Sequence, residues 1–423
     1  MIAHYRNTRY TSAEYYISER QASNSVLANR ALGVRFVNYF RLERNVLLAS
    51  SAIFVLGFGE ELWKKFLPKY LEALGAGTAI VGLFGTVEDF LDALYQYPGG
   101  WLADHVGRRH AFLLLVSIAC TGYLVYLISS SWPLLFIGLA LAMTWQSMAS
   151  PATFAIIGDS LPREHRAMGF TIQSVLKRIP IVLAPLLGGA VIARLGIIRG
   201  IHLALAITLL CAGAALMLIT KLRVDGRTTE PLKILVIWRT FHRVLKRLLV
   251  SDIIIRVCEG MTGVLIILYV TNIKHFSVAF YGSLVAIQMI TSIIVYLPAG
   301  KIADRIGRKP FVIATFLCFA LFPLTIILAS NVWLLIVAFV IGGLREIGEP
   351  ARKAMIVDFA HEGVRARSVG LYYLVRSLSI TPAAAVGGLL WKLTPEVPFV
   401  VAGVIGLVGA LVFALTVDEQ YAS

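Results

Sequence analysis

The sequence predicts an all-α integral membrane protein with twelve transmembrane helices in two pseudo-symmetric six-helix bundles. Three observations carry that prediction. The first is composition: 58% of the 423 residues are hydrophobic and 15% are charged, with a mean hydropathy of +0.78, whereas a soluble domain carries about 25% charged residues. The second is a recurrence of apolar runs of the length, about 20 residues, that crosses a hydrocarbon core near 30 Å. The third is a duplication. The stretch from Pro98 to Arg109, PGGWLADHVGRR, is written again from Pro298 to Lys309, PAGKIADRIGRK, so that Asp104 and Asp304, Gly107 and Gly307, and Arg108 and Arg308 are each 200 residues apart.

Taken in order, residues 1–44 form a basic arm with seven arginines and no apolar core of a cleavable signal. Residues 23–39 suit an amphipathic helix on an anionic leaflet, and equally a flexible arm. The first expected span, 45–70, is interrupted by Glu60, Glu61, Lys64 and Lys65, and the second, 79–101, carries Glu88, Asp89 and Asp92. The third, 111–130, has no interruption. The fourth, 132–157, holds Trp145, Gln146 and Ser147, and the fifth, 168–193, holds Lys177, Arg178, Pro180, Pro185 and Gly188-Gly189. The sixth, 200–220, closes the amino-terminal bundle, 45–220.

Residues 221–248 then turn basic, while Ile234, Leu235, Trp238, Phe241, Leu245 and Leu248 recur at helical spacing. This describes a cytoplasmic amphipathic linker. The carboxy-terminal bundle, 249–417, repeats the pattern with spans near 249–272, 278–299, 310–329, 333–357, 366–391 and 395–416, before a short tail, 418–423. The register of the repeat extends beyond the charged loops: Val81-Gly82 matches Tyr281-Gly282 at an offset of 200, and Gly188-Gly189 matches Gly387-Gly388 at 199.

A net charge of +15 is of the size a nucleic-acid partner calls for, but the position of the charges excludes that class. Of the 39 basic residues, 27 fall in the arm and in the connections on one side of the expected topology. By the positive-inside rule both termini are cytoplasmic, in a multi-pass protein of the plasma (inner) membrane. Cys120, Cys211, Cys258 and Cys318 all lie in apolar runs without metal-ligand spacing, as small packing residues do.

The duplicated loop carries a resemblance. Gly-x-Leu-Ala-Asp-x-x-Gly-Arg-Arg between the second and third spans resembles the signature loop of the major facilitator superfamily, and the likeness in span number and spacing extends from about Asn45 to Val417. The resemblance implies the MFS fold, cargo held between the halves, and transport by alternating access. It also implies a gating role for Gly100, Asp104, Gly107 and Arg108 and for Gly300, Asp304, Gly307 and Arg308. In that role, Gly100 and Gly107 permit a tight turn, and Asp104 sits against the amino-terminal end of the eleventh helix near Arg108. Drug-proton antiporters of the superfamily carry a Gly-Pro-x-x-Gly-Gly run in the fifth span. Here it reads Ala184-Pro185-Leu186-Leu187-Gly188-Gly189, and Met143 stands where their fourth-span arginine belongs.

Ionisable side chains at membrane depth are costly unless paired or hydrated, and so mark function. Glu88 and Asp92 share one helix face, with Asp89 about 100° round. Three acids this close cannot all be charged cheaply, as a reversible proton carrier requires. These three, with Glu61 and Glu259, are the candidates for proton or ion coupling. Lys177, Arg178, Arg256, Arg345 and Arg376, with Gln146, are the candidates for substrate contact, because guanidinium groups from both halves could grip a carboxylate or phosphate. The structural alternative is that acids and bases simply pair: Arg256 with Glu259 at i,i+3, Arg345 with Glu349 at i,i+4, and Lys177 with an acid of the second span.

An enzyme is not expected, since the sequence holds no HExxH or GxSxG motif and no GxxxxGK[ST] loop for ATP-driven transport. Neither a metal nor a cofactor is implied. The expected function is that of a monomeric secondary transporter in the lipid bilayer, coupled to protons, with a small anionic or zwitterionic substrate. The alternatives are a drug or amphiphile efflux antiporter, a metal-cation transporter using the acids as oxygen ligands, and, last, a facilitator-like receptor that moves nothing.

Overall fold

The computed structural model describes residues 44–148, 163–223, 238, 241–359 and 365–417. The arm up to residue 43, most of the linker, and the tail 418–423 lie outside the described residues, as do the amphipathic segments expected at 23–39 and around 234. Among the described residues all regular structure is helical. In chain order the helices are α1 (Arg44–Glu61), α2 (Leu67–Ala73), α3 (Thr78–Val106), α4 (Arg108–Ile128), α5 (Trp132–Met143), α6 (Arg163–Leu195) and α7 (Ile197–Thr220). The second half has α8 (Arg243–Gly263), α9 (Ile266–Leu268), α10 (Val278–Ile306), α11 (Lys309–Leu328), α12 (Val332–Leu344), α13 (Glu349–Asp358), α14 (Arg365–Ile380), α15 (Ala383–Leu390) and α16 (Val397–Thr416).

Seven of the described helices are long and apolar enough to cross a membrane, or eight if the pair Arg243–Gly263 and Ile266–Ile273, bent by 42°, is one span. The expected spans that fall short of that test are the broken or charged ones. The first is interrupted after Glu61 by a 3-10 turn, Lys64–Phe66, and restarts at α2 with a proline in its first turn. Proline lacks the amide a continuing helix needs but fits a helix start. The second, α3, carries its three acids. The fourth and tenth lose α-helical pairing at matched places, in a π turn over Thr144–Met148 and a turn over residues 345–348. The seventh span begins at Arg243, so the last residues of the expected linker are the first turns of α8.

The signature loops are tighter than the sequence suggests. Helices α3 and α10 run through Gly100 and Gly300, and the chain reverses only at Gly107 (φ 85°) and Gly307 (φ 105°). Gly100 is therefore a helix residue, not part of the turn. A 29-residue helix is about 43 Å long at 1.5 Å per residue, longer than the hydrocarbon core, so its last turns emerge into water before the reversal. A left-handed φ is where glycine carries no steric cost.

Helix pairing is the same in the two halves. α1 packs on α7 as α8 packs on α16; α4 packs on α5 and α7 as α11 packs on α12 and α16. Between the halves, α3 lies against α15 and α14, and α6 against α10, again one arrangement used twice. The end bearing Gly107 and Gly307 is termed the loop end, and the opposite end the far end.

Candidate substrate cavity and buried charge network

At the far-end side of the boundary between the halves lies a cavity of about 240 Å³. Its wall draws the same positions from each half, 200 residues apart: Trp63 and Gly263, Lys64 and Val264, Leu67 and Ile267, and Val81 and Tyr281. Residues that face their own repeat mates sit about the pseudo-twofold axis, so the cavity straddles it. Glu60, Lys65, Glu88, Phe84 and Tyr126 complete its charged and aromatic faces.

The amino-terminal wall is held by the break after α1. Glu60 is buried and accepts a hydrogen bond from Trp145 Nε1 at 3.0 Å. Lys64 Nζ lies 3.6 Å from Glu60 and donates to Gln146 Oε1 at 2.6 Å. Trp63 Nε1 donates to Thr208 Oγ1, whose own hydroxyl lies 2.7 Å from the carbonyl of Gly59. Lys64 thus links Glu60, one turn before it, to the π turn that follows α5. Glu61 Oε2 is buried with no hydrogen-bond partner. Glu88 lines the cavity, and with Asp92 it acts on the Lys64 ammonium at longer range. Asp89 faces the other half, 3.9 Å from where a Cβ on Gly260 would stand.

Nearer the loop end, the carboxy-terminal half holds a network of seven charged side chains. Arg352 and Asp252, each 1% exposed, are bonded to one another. Arg352 also donates twice to Glu349, at 2.9 and 2.6 Å. Tyr372 donates its hydroxyl to Asp252 at 3.0 Å, and Arg376 approaches the same oxygen at 3.6 Å while stacking on Tyr373. Arg256 bonds Glu259 at 2.6 Å and Glu349 at 3.4 Å. Arg345 bonds Glu259 at 3.3 Å and lies over the rings of Phe319 and Phe322. Four guanidinium groups thus meet three carboxylates. Even so, among the described residues Arg376 Nε is buried without a hydrogen-bond partner, and Arg256 Nε and Asp252 Oδ1 stand 3.9 Å apart, too far to hydrogen-bond each other.

The sequence-predicted residues therefore separate into two groups. Glu88 lines the cavity and Gln146 reaches it through Lys64, which the sequence did not single out as a site residue; Arg256, Glu259, Arg345 and Arg376 belong to the network. The pair Arg256–Glu259 forms as its spacing suggests, but Arg345 does not pair with Glu349. α12 ends at Leu344, so the two residues do not share a helix face, and Arg345 turns to Glu259 instead. Arg178 crosses from α6 to the other half, donating to Ser292 at 3.1 Å, lying 3.8 Å from Glu346 and stacking on Tyr296. The side chains of Lys177, Asp104, Arg108 and Asp304 lie outside the described residues. Sequence reasoning missed Asp252, Arg352 and Tyr372. The available signal was the lone aspartate four residues before Arg256 at the start of an apolar run.

At the far end the halves are in close contact. A Cβ on Gly82 would meet the carbonyl oxygen of Ala384 at 2.5 Å, and the amide of Ala385 donates to Thr86 Oγ1 at 2.8 Å. Pro382 follows Thr381 at the break between α14 and α15, so this amide needs an acceptor from outside its own helix.

This is the architecture of a multi-pass membrane transporter built from two repeats around a central site. The sequence model of the Major Facilitator Superfamily matches residues 49–252 and again 248–423, and the chain belongs to that superfamily. It is similar to an uncharacterised MFS-type transporter of Methanocaldococcus jannaschii, at 23% identity over 88% of this chain and 94% of the relative. It is also similar to the multidrug resistance protein MdtG of Escherichia fergusonii, at 24% identity over 74% of this chain and 80% of the relative. Among solved structures, a POT family transporter in complex with 5-aminolevulinic acid superposes with a TM-score of 0.75 at 15% identity, covering 90% of this chain and 97% of that one.

Proposed function

We propose that the protein is a proton-coupled secondary transporter of the plasma membrane, monomeric and with both termini cytoplasmic, that moves a small anionic or zwitterionic molecule by alternating access. The observation that carries the substrate class is the network around Asp252. Its four arginines outnumber its three carboxylates, and among the described residues Arg376 Nε is buried without a hydrogen-bond partner, while Arg256 Nε stands off Asp252 Oδ1 at 3.9 Å. A fully paired structural network would leave no such surplus. An arriving carboxylate or phosphate would complete it, with Arg376 and Arg178 as the groups that contact it. Coupling falls to Glu88, Asp89 and Asp92, with Glu61 and Glu259 as further acids on the route. Lys177 and Gln146 are the remaining substrate candidates.

Ligand-induced stabilisation of the purified protein in detergent tests this, because anything that binds the folded state raises its melting temperature. Carboxylates or phosphates should raise it, and Arg376→Ala should abolish the rise. Shifts confined to amphiphilic cations, unchanged in that variant, would sink the anion reading. They would favour the second one, efflux of drug-like amphiphiles, which has support from the similarity to MdtG and from the aromatic wall of Trp63, Phe84, Tyr126 and Tyr281. Among the described residues no three His, Cys, Asp or Glu are grouped to hold a metal ion, so the metal-cation alternative draws no support from them.

A further inference from the structure

Beside the cavity lies a polar cluster that neither substrate binding nor proton coupling uses. On α2, which lines the cavity with Leu67, Pro68 and Leu71, it consists of Lys69 and Glu72. From the other half, a π turn over Tyr269–Ile273 at the end of α9 presents Asn272. Asn272 Nδ2 donates to Glu72 Oε1 at 2.6 Å, and Lys69 Nζ donates to Glu72 Oε2 at 2.6 Å and also to Asn272 Oδ1. The Thr271 hydroxyl lies 3.1 Å from that same amide oxygen. Glu72 and Asn272 are one position of the repeat, 200 residues apart. The two halves are thus tied at matched positions of the repeat, on the far-end helices that also line the cavity. We infer that Lys69, Glu72 and Asn272 form a latch that holds the far end shut and sets how often it opens.

The chemistry of the three residues suits a tie that is broken repeatedly. If the halves part, Lys69 and Glu72 remain three residues apart on α2 and keep their ion pair, so neither charge is stranded. What is lost is the set of bonds to a neutral amide, which water can replace. Two charged partners on opposite halves would instead each have to be rehydrated separately. The glycine contacts elsewhere at this end provide close packing; the latch adds a directional tie, made only in one register of the two halves. A π turn supplies that register, because its wider winding carries Asn272 round towards the axis. Asn272 Oδ1 is shared between Lys69 and the neighbouring Thr271 hydroxyl, while its Nδ2 donates across the boundary to Glu72.

Spin labels at Leu195 and Leu393, exposed far-end positions of the two halves, would report the separation by electron-electron distance measurement. The full chain in lipid nanodiscs, with its four native cysteines replaced, is the sample. Asn272→Ala should raise the ratio of long to short distances about tenfold, the worth of roughly one charge-assisted hydrogen bond. Asn272→Leu keeps the size of the side chain but removes both its donor and its acceptor, and should shift the ratio at least as far. An unchanged ratio in both variants overturns the latch, including the case in which only the melting temperature falls, since that assigns the residues to stability alone. A single distance in every form also overturns it, because a latch requires a state in which it is open. No substrate is needed, so the outcome is independent of which molecule is carried.

Discussion

Gly82 and Gly282, the same position in the two halves, make the same contact. A Cβ on Gly82 would stand 2.5 Å from the carbonyl oxygen of Ala384, and one on Gly282 would stand 2.5 Å from that of Pro185. Ala384 and Pro185 are themselves matched by the repeat at an offset of 199. The far end is therefore sealed by one backbone-to-backbone approach used on both sides of the axis, and each approach requires a residue without a side chain.

Replacing either glycine by alanine should open that seal. The opposing atoms are backbone, which cannot rotate away, so the helices must separate by several tenths of an ångström. Gly82→Ala and Gly282→Ala should each raise the long-distance population at the far end, and by similar amounts because the contacts are equivalent. Labels at Leu195 and Leu393 report it. A large shift in one variant with none in the other would show that the two contacts do not share the seal.

Thr86 should behave as a polar counterpart. Its hydroxyl accepts from the amide of Ala385 across the boundary, and Thr86→Val keeps the shape while leaving that amide without its acceptor. An unsatisfied buried donor costs about 1–3 kcal/mol. The variant should therefore melt earlier than wild type, while Thr86→Ser, which keeps the acceptor, should stay close to it. Equal melting of the Val and Ser forms would mean that water reaches the amide.

How far the sequence reveals this arrangement depends on the range of the interaction. The spans, the repeat and the pair Arg256–Glu259 follow from local spacing: apolar runs of bilayer length, an offset near 200, and i,i+3 neighbours on one helix. The breaks were harder to read. Glu60, Glu61, Lys64 and Lys65 mark an interruption of the first span, but of the helix end at Glu61 only Pro68 downstream gives a backbone sign. Arg345 illustrates the limit, since an i,i+4 partner is implied only while the helix continues, and α12 stops one residue earlier. Asp252 is hard to read for a different reason. Its bonded partners Arg352 and Tyr372 are 100 and 120 residues away, and the spacing to Arg256 marks only its loosest contact. The meeting of Glu72 with Asn272 lies between these cases: the offset of 200 was there to be read, but a repeat does not say which of its matched positions touch the axis.

Proton coupling makes a separable demand on α3. If Asp89, Asp92 or Glu88 carries the proton, its neutral isostere should abolish accumulation driven by a pH gradient while leaving substrate exchange intact, because exchange needs no net proton movement. Asp89→Asn, Asp92→Asn and Glu88→Gln, each assayed in proteoliposomes for gradient-driven uptake and for counterflow, would identify the carrier. Loss of both activities together in every variant would assign these acids to folding or substrate contact and remove the coupling role.

The bond between Arg352 and Asp252 gives the sharpest stability test. Both side chains are buried, and removing one member of a buried pair costs about 3–5 kcal/mol because the other is left charged and unpaired. Arg352→Met takes the shortest ion pair from both Asp252 and Glu349 and leaves them the longer contacts of Arg376 and Arg256, so it should be the more damaging single change. Asp252→Asn keeps the hydrogen bond from Tyr372 and leaves Arg352 its two bonds to Glu349, so it should cost less. The double variant should be less unstable than the sum of the singles, since residues in one network couple by about 0.5–3 kcal/mol. Melting temperatures of the four forms in one detergent give the cycle. If the singles add, the two groups act independently and Asp252 is held by Tyr372 and Arg376 instead.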